Sequence, residues 1–505
     1  MKRISFLGCI MSLSLCAAAF LAPAVGHAQT APTLPIVQAD RAHSRSSQQI
    51  ADEWAAAMPQ TKWSSYADTD WYTADGTEFT LTAPEQFAGL AKLVNSGKNM
   101  KGVTIKLGKD VDFAAHRFDE VIGMNNDNPF SGTFEGGNYT ISGVKIFEPK
   151  GAFVGFFGQT NEAVIRNTVV RNATVVGSNT AGAFVSNVYN KGLVSNCHAY
   201  DCRVVTAPFE TSFGGSSAGS VVGAMVDFSK MENCSATDME IYCVGQSGAF
   251  ISQAYNQCEV TNCFVEDSKL TADVGLIGGF VGANLAFFPG TQSTFTNCYA
   301  LDVDLVLFDA GEQAIAGGFV GMAQANFTVK HCYASVEIEG GASTGAFAGL
   351  TGGESAVCIY EGCFYNSDKN GDMPGVGGGV EVATIVGMQE IAMRTAEMAA
   401  TLNGAQNPAP WKYAADVNDG WPYLGDNAPV VTSVPATMDD ALHITASQGQ
   451  IVVAGMTAAT DVQIYNMQGY RIYANSTAMA DLRIEVAPGV YVVRAGRSIA
   501  KVAVY

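Results

Sequence analysis

Gly278-Gly-Phe-Val-Gly282 returns as Gly317-Gly-Phe-Val-Gly321, and this short phrase decides how the rest of the chain is read. Related copies stand at Gly151-Ala-Phe-Val-Gly155, Gly182-Ala-Phe-Val-Ser186, Gly219-Ser-Val-Val-Gly223, Gly248-Ala-Phe-Ile-Ser252 and Gly345-Ala-Phe-Ala-Gly349, so seven copies begin 28 to 39 residues apart. Each is followed by a second block: Ile165-Arg-Asn-Thr168, Val194-Ser-Asn-Cys197, Met231-Glu-Asn-Cys234, Val260-Thr-Asn-Cys263, Phe295-Thr-Asn-Cys298, Val329-Lys-His-Cys332 and Tyr360-Glu-Gly-Cys363. In four repeats the cysteine lies 15 residues after the first glycine, which holds the two blocks in register. A third apolar block closes the unit, as at 169–176, 202–205, 239–244 and 303–308. Regular self-similarity at this period marks a stacked repeat, because one such unit cannot bury its own inward side chains.

Three short apolar runs per unit predict one coil of a parallel β-helix. Coils stacked about 4.8 Å apart pair their backbones and bring like side chains into ladders. The expected fold class is all-β: a β-helix over residues 151–366 with short capping helices, then a small C-terminal β-sandwich. Phe153, Phe184, Phe250, Phe280, Phe319 and Phe347 are expected to form an aromatic ladder inside it. The recurring asparagine of the second block suits a polar ladder or a turn cap.

Working outward, the segment 75–150 reads as an N-terminal cap and lead-in coils. Thr82 and Glu85 have capping-box spacing ahead of an apolar face of Phe87, Leu90, Ala91 and Val94. At the far end, 367–425 reads as a C-terminal cap, with a helix over 389–403 and an aromatic closure by Trp411, Trp421, Pro422 and Tyr423. Residues 426–437, with Pro429 and Pro435, read as an extended linker. Beyond it, 438–505 carries six or seven short alternating runs, the pattern of a small sandwich.

Residues 1–28 have the form of a signal peptide: Lys2 and Arg3, an apolar run from Ile4 to Leu21, then small residues ending at Ala28, with cleavage expected before Gln29. A lead segment, 29–74, follows. No later stretch is long and apolar enough to predict a transmembrane helix. Without residues 1–28 the chain has 26 basic and 47 acidic residues, a charge of −21 with no basic cluster, which argues against nucleic acid as a partner.

The repeat blocks resemble the GLUG repeat of bacterial surface proteins and adhesins, over roughly residues 75–425. The tail resembles the C-terminal sorting domain of the type IX secretion system of Bacteroidetes. Tyr465-Asn466-Met-Gln-Gly469 is similar to its central turn, Pro488-Gly489-Val-Tyr491 to the start of a late strand, and Lys501-Val502-Ala-Val504 to its terminal strand. These resemblances imply passage across the outer membrane by the type IX machinery, removal of the sorting domain near the linker, and a place at the cell surface or outside the cell. They also imply an adhesive role toward an extracellular glycan or host protein.

The residues that could carry chemistry favour structural readings. Ten cysteines follow the signal segment, and Cys197, Cys234, Cys263, Cys298, Cys332 and Cys363 share one repeat position, which predicts a buried thiol ladder rather than disulfides. Cys197 with Cys202, Cys258 with Cys263 and Cys358 with Cys363 lack the companion histidines of a zinc site, so no metal or cofactor is expected. His198 and His331 adjoin ladder cysteines, but neighbours along a strand face opposite ways, a poor geometry for a nucleophile and its base. Asp227, Asp238, Asp267, Asp302 and Asp304 are expected to be solvated edge and turn residues rather than catalytic carboxylates. No catalytic residues are therefore assigned. Tyr189-Asn190, Tyr255-Asn256 and Phe287-Phe288 follow the glycine-rich blocks and could line a strip that packs against sugar rings or a protein. The expectation is a surface-binding scaffold, with a β-helix polysaccharide-degrading enzyme or a non-binding spacer as the alternatives.

Overall fold

The computed structural model describes residues 45–505 apart from 209–215, 287, 289, 309–310, 312–313, 353–355, 380–381, 416, 426, 428–442, 448, 456–459, 467–470, 479–480, 488, 496–497 and 505. Among the described residues strands dominate, and the repeats pair in parallel within sheets of 20, 7 and 8 strands. A repeat uses four strands rather than three, as in Thr180–Gly182, Val185–Tyr189, Leu193–Tyr200 and Arg203–Thr206. Each lies beside its counterpart in the next repeat: Ala181 opposite Ala218, Val188 opposite Met225, Val194 opposite Met231 and Val204 opposite Ile241.

The corners explain the recurring asparagine. Asn167, Asn196, Asn233, Asn262, Asn297 and His331 all hold φ between 51° and 57°, and Gly362 takes the same place at 61°. Asparagine tolerates this left-handed conformation better than most residues with a side chain, and glycine adopts it freely. Its amide also ladders: Asn196 donates to Asn167 at 2.9 Å, Asn262 to Asn233 at 3.3 Å and Asn297 to Asn262 at 3.2 Å. The first glycine of the repeat answers to a different constraint. A Cβ on Gly278 would stand 2.0 Å from the Val281 carbonyl oxygen and 2.7 Å from the Gly321 nitrogen, so adjacent repeats approach too closely there for any side chain.

Inside the stack the aromatic column is regular toward the C-terminal end. Phe280 lies 4.8 Å from Phe319, and Phe319 lies 5.0 Å from Phe347, with the rings stacked nearly parallel. At the N-terminal end the expected register is corrected. Thr180 pairs with Phe153 and Val185 with Phe157, so the first copy of the repeat is Gly155-Phe156-Phe157-Gly158, one residue shorter than the rest. Phe153 lies outside the ladder and Phe156 stands against Phe184. Val221 interrupts the column before Phe250, since Val185 pairs with Val222.

Helix Pro84–Asn95 seals the first coil, burying Phe87, Leu90, Ala91 and Val94, with the Phe87 ring 5.7 Å from both Phe113 and Phe156. Thr82 and Glu85 form no capping box. Pro84 sets the first turn, so Ala83 is the N-cap, and Gln86, three residues on, accepts from the Thr82 amide at 2.7 Å. An additional helix, Ser47–Ala57, closed by a capping box of Ser46 and Gln49, lies along the outside of the stack with Ile50 and Trp54 on Val176 and Val205.

The C-terminal cap is a further correction. The segment holding helix Ala396–Asn403, Trp411 and Trp421 does not close the end of the stack but runs back along its side. There Phe264, Tyr299 and Tyr333 form an outward ladder at 4.9 Å steps, and Trp411, Trp421 and Leu402 cover it. Aromatic rings stacked on an outer face need such a cover to leave water. Residues 443–504 form a separate unit of two antiparallel sheets, of three and four strands, around Ile444, Ile451, Val462, Ile464 and Val493.

The corner geometry yields a graded test. Asn262→Ala should cost roughly 1–2 kcal/mol, because alanine gains no local hydrogen bond at positive φ and the amide rung is lost. Asn262→Gly should cost less, since glycine already serves at the equivalent position 362. Denaturant midpoints of the two variants compare them directly; equal losses would show that φ does not govern the corner.

Candidate functional site

A second left-handed corner follows the asparagine corner by five residues and carries a row of acidic residues. Asn172, Asp201, Asp238, Asp267 and Asp302 occupy it with φ between 50° and 57°. Their preceding residues are in register, Tyr200 opposite Thr237, Thr237 opposite Glu266 and Glu266 opposite Leu301. Four carboxylates therefore line one edge in consecutive repeats. Asp238, Asp267 and Asp302 are turn residues, as expected, but they are not singly solvated: aspartate tolerates positive φ, and parallel stacking converts a tolerated turn residue into a column that Asp201 extends.

Cations meet this column from elsewhere in the chain. Arg494 lies 3.7 Å from Asp201 and 3.4 Å from Asp238, Arg471 lies 2.9 Å from Asp267, and Lys369 lies 3.3 Å from Asp302. The Tyr465 hydroxyl donates to Asp238 at 2.8 Å. Burial pushes the Asp267 carboxyl well above its usual range, against the pull of Arg471. Burial likewise works against the Arg471 charge, but Asp267, Tyr465, Asp238 and Asp419 together outweigh it and hold that guanidinium more firmly protonated. Beside them sits Glu266. Part of the residue meets solvent, yet protein crowds its carboxyl closely enough that burial pushes it to about 7, with Tyr299 donating a 2.6 Å hydrogen bond that opposes the rise. Glu266, Asp267 and Asp302 share a small cleft with Tyr465, Arg471 and Trp421. The arrangement can hold guanidinium groups and can hold or release a proton at Glu266 near neutral pH.

The residues assigned from sequence fall as follows. Tyr189 and Tyr255 share one column, but Val226 separates them and Leu285 continues it. Asn190 donates to Asn161 at 3.1 Å. Asn256 is buried and donates to Asp227, which removes it from the expected strip; its amide satisfies the corner rather than solvent. Phe287 lies outside the described residues, whereas Phe288 is 53% exposed. Phe228, 42% exposed in the loop after the equivalent strand of an earlier repeat, is the aromatic residue that sequence reading missed.

The thiols form a buried column in which Cys197 donates its amide to Cys234 Sγ at 3.4 Å, Cys234 to Cys263 at 3.4 Å and Cys298 to Cys332 at 3.3 Å, while Cys332 pairs opposite Cys363. All ten described cysteines are free. Burial pushes Cys363 up to about 12, which keeps it a thiol. His198 is buried between Ser235 and Asn196, and burial lowers it to about 3. Among the described residues no group of His, Cys, Asp and Glu is placed to hold a metal ion, and no helix is long and apolar enough to cross a membrane.

Of the residues in the tail motifs, Tyr465, Asn466, Gly489, Tyr491, Lys501, Val502 and Val504 lie in one four-stranded sheet, with Asn466 opposite Tyr491, Tyr491 opposite Val502 and Gly489 opposite Val504. Gly469, Pro488, Ala28 and Gln29 lie outside the described residues. The column of aspartates had a legible signal, an acidic residue five places after the asparagine in four repeats. Arg471 and Arg494 had none, since no local pattern links them to it.

No protein-family model matches this chain. Nor does any curated protein. Among solved structures, one from Bacteroides ovatus provisionally described as an immunoglobulin A1 protease is similar over 69% of this chain and 92% of its own, with 15% identity and a TM-score of 0.45. A second, described as an IgA1 protease, is similar over 63% of this chain and 22% of its own, with 13% identity and a TM-score of 0.38. Likenesses this distant carry nothing about activity.

Glu266 gives the site a pH signature. Its folded pKa, about 7, exceeds its ordinary value of 4.5, so the native state binds the proton more tightly. The native chain is therefore favoured below about pH 4.5 and loses up to about 3 kcal/mol as pH rises toward 7. Glu266→Gln should flatten that slope in denaturation midpoints measured from pH 5 to 7.5; an unchanged slope would remove Glu266 as its source.

Proposed function

We propose that this chain is an exported surface scaffold: a GLUG-like parallel β-helix that binds an extracellular glycan or protein with its outer face, carried out of the cell by a type IX sorting domain at 438–505. One observation carries the binding reading. The interior is filled by aromatic and thiol columns, so a ligand must meet the exterior, where Phe228 and Phe288 stand exposed in the loops that follow equivalent strands of different repeats. Exposed aromatic rings on a rigid face suit stacking against sugar rings or a partner's apolar side chains.

The column of carboxylates gives the enzyme alternative the acidic groups it lacked. A glycan-cleaving pair needs both carboxyls free to reach the glycosidic bond. Here Asp267 is paired with Arg471 and Glu266 accepts from Tyr299, so the column is better suited to docking than to bond cleavage. The non-binding spacer remains the reading to which a failed screen would return.

A screen of the secreted chain against host and plant glycans and host proteins is expected to show binding without cleavage. Phe228→Ala with Phe288→Ala should weaken it roughly tenfold or more while leaving the melting temperature unchanged. Cleavage of a glycan would favour the enzyme, and binding untouched by the double variant would place the ligand elsewhere. For the address, deletion of 438–505 should leave the protein in the periplasm; normal surface display without those residues would refute the sorting assignment.

A further inference from the structure

The column of aspartates exists only when repeats are stacked. Asp201, Asp238 and Asp267 come from three separate repeats and are aligned solely by the parallel register of the strands before them. Like charges so aligned repel, and the distance between rungs is about 4.8 Å. A guanidinium can lie between two such carboxylates, as Arg494 does between Asp201 and Asp238. Both cations that close these three rungs belong to the C-terminal unit.

We propose that the column is a docking surface for residues 443–504, and that Arg471, Arg494 and Tyr465 form a reversible latch between a docked and an undocked state. The contact is polar. Among the described residues the apolar core of the unit and the apolar core of the repeats are separate clusters, with no hydrophobic seam joining them. The Arg471 and Arg494 side chains retain 22% and 23% of their exposure, so water and salt still reach these ion pairs, though less than at a fully exposed pair. Asp461 and Asp419 add further negative charge around Arg494 and Arg471, Glu266 faces the same cleft, and Lys369 occupies the fourth rung through Asp302. The latch thus reads the folded state of the repeats: an unstacked chain offers single aspartates, and a stacked one offers a track.

One consequence rests on the sorting reading above. Tyr465 belongs to the segment that resembles the sorting motif, and in the docked state its hydroxyl is turned onto Asp238. Docking would therefore shield part of the address from the export machinery, and undocking would present it.

The test uses the full chain. Hydroxyl-radical footprinting of Tyr465 and small-angle scattering should show Tyr465 protected and the particle compact at low salt. Arg471→Glu with Arg494→Glu should speed Tyr465 oxidation roughly fivefold or more and enlarge the particle. Adding Asp238→Arg and Asp267→Arg to that variant should restore both readouts. Should the charge-reversed chains fail to fold, titrating the unaltered chain to about 1 M salt is expected to give the same opening. Tyr465 oxidation and particle size unchanged by both charge reversal and salt would overturn the latch. Normal display after deletion of 438–505 would refute the address while leaving these measurements untouched.

Discussion

Every repeat turns at corners that most residues with a side chain avoid, and parallel pairing keeps them there. Left-handed backbone costs about 1–2 kcal/mol per residue for most side chains. Asparagine and aspartate lessen that cost, and adjacent repeats repay it by stacking amide on amide, as Asn262 does beneath Asn297. Once one repeat has turned at such a corner, its neighbour keeps full register by turning at the same place; where the second corner is missing, the pairing slips by one residue opposite Asp302. The register of the sheets, the thiol column and the close glycine approach at Gly278 all follow from that shared turn.

Stacking multiplies whatever stands at a position. An amide repeated at a corner forms a neutral ladder that is satisfied within itself. A phenyl ring repeated inside becomes part of the core, whereas on the outer face Phe264, Tyr299 and Tyr333 form an apolar strip that must be covered. A carboxylate repeated at the second corner becomes a line of like charge that calls for cations. The chain beyond the repeats answers both needs on its way back along the stack: Trp411 and Trp421 cover the aromatic strip, and Arg471 and Arg494 meet the aspartates. Asn427 is threaded between them, donating to the carbonyls of Cys234 and Asn262.

Periodic features were legible in the sequence because each repeat states them again. The all-β character and the parallel stacking are of this kind. Errors arose where the period breaks. The first copy loses a residue, so Gly151-Ala-Phe-Val-Gly155 resembles the repeat in sequence while the stretch from Gly155 to Gly158 holds its place in the stack. Proline at 84 moved the helix cap by one position. Asp238, Asp267 and Asp302 read one at a time as ordinary turn residues; only their common distance of five residues from the corner asparagine, shared by Asp201, marks them as a column. Asn256 looked like a surface amide because nothing local announces that Asp227 of the preceding repeat lies against it.

The sequence by itself determined what repeats: where the chain turns, which side chains stack, and that the product is a β-rich array. Local chemistry suffices for this, because glycine, asparagine and alternating apolar residues impose the same geometry wherever they recur. Only the tertiary structure decided what lies against the outside of that array. Arg494 and Asp238 are separated by most of the second half of the chain, and ion pairing has no sequence period. Which face receives the returning chain is settled by charge and apolar surface that come into being only after the repeats have stacked.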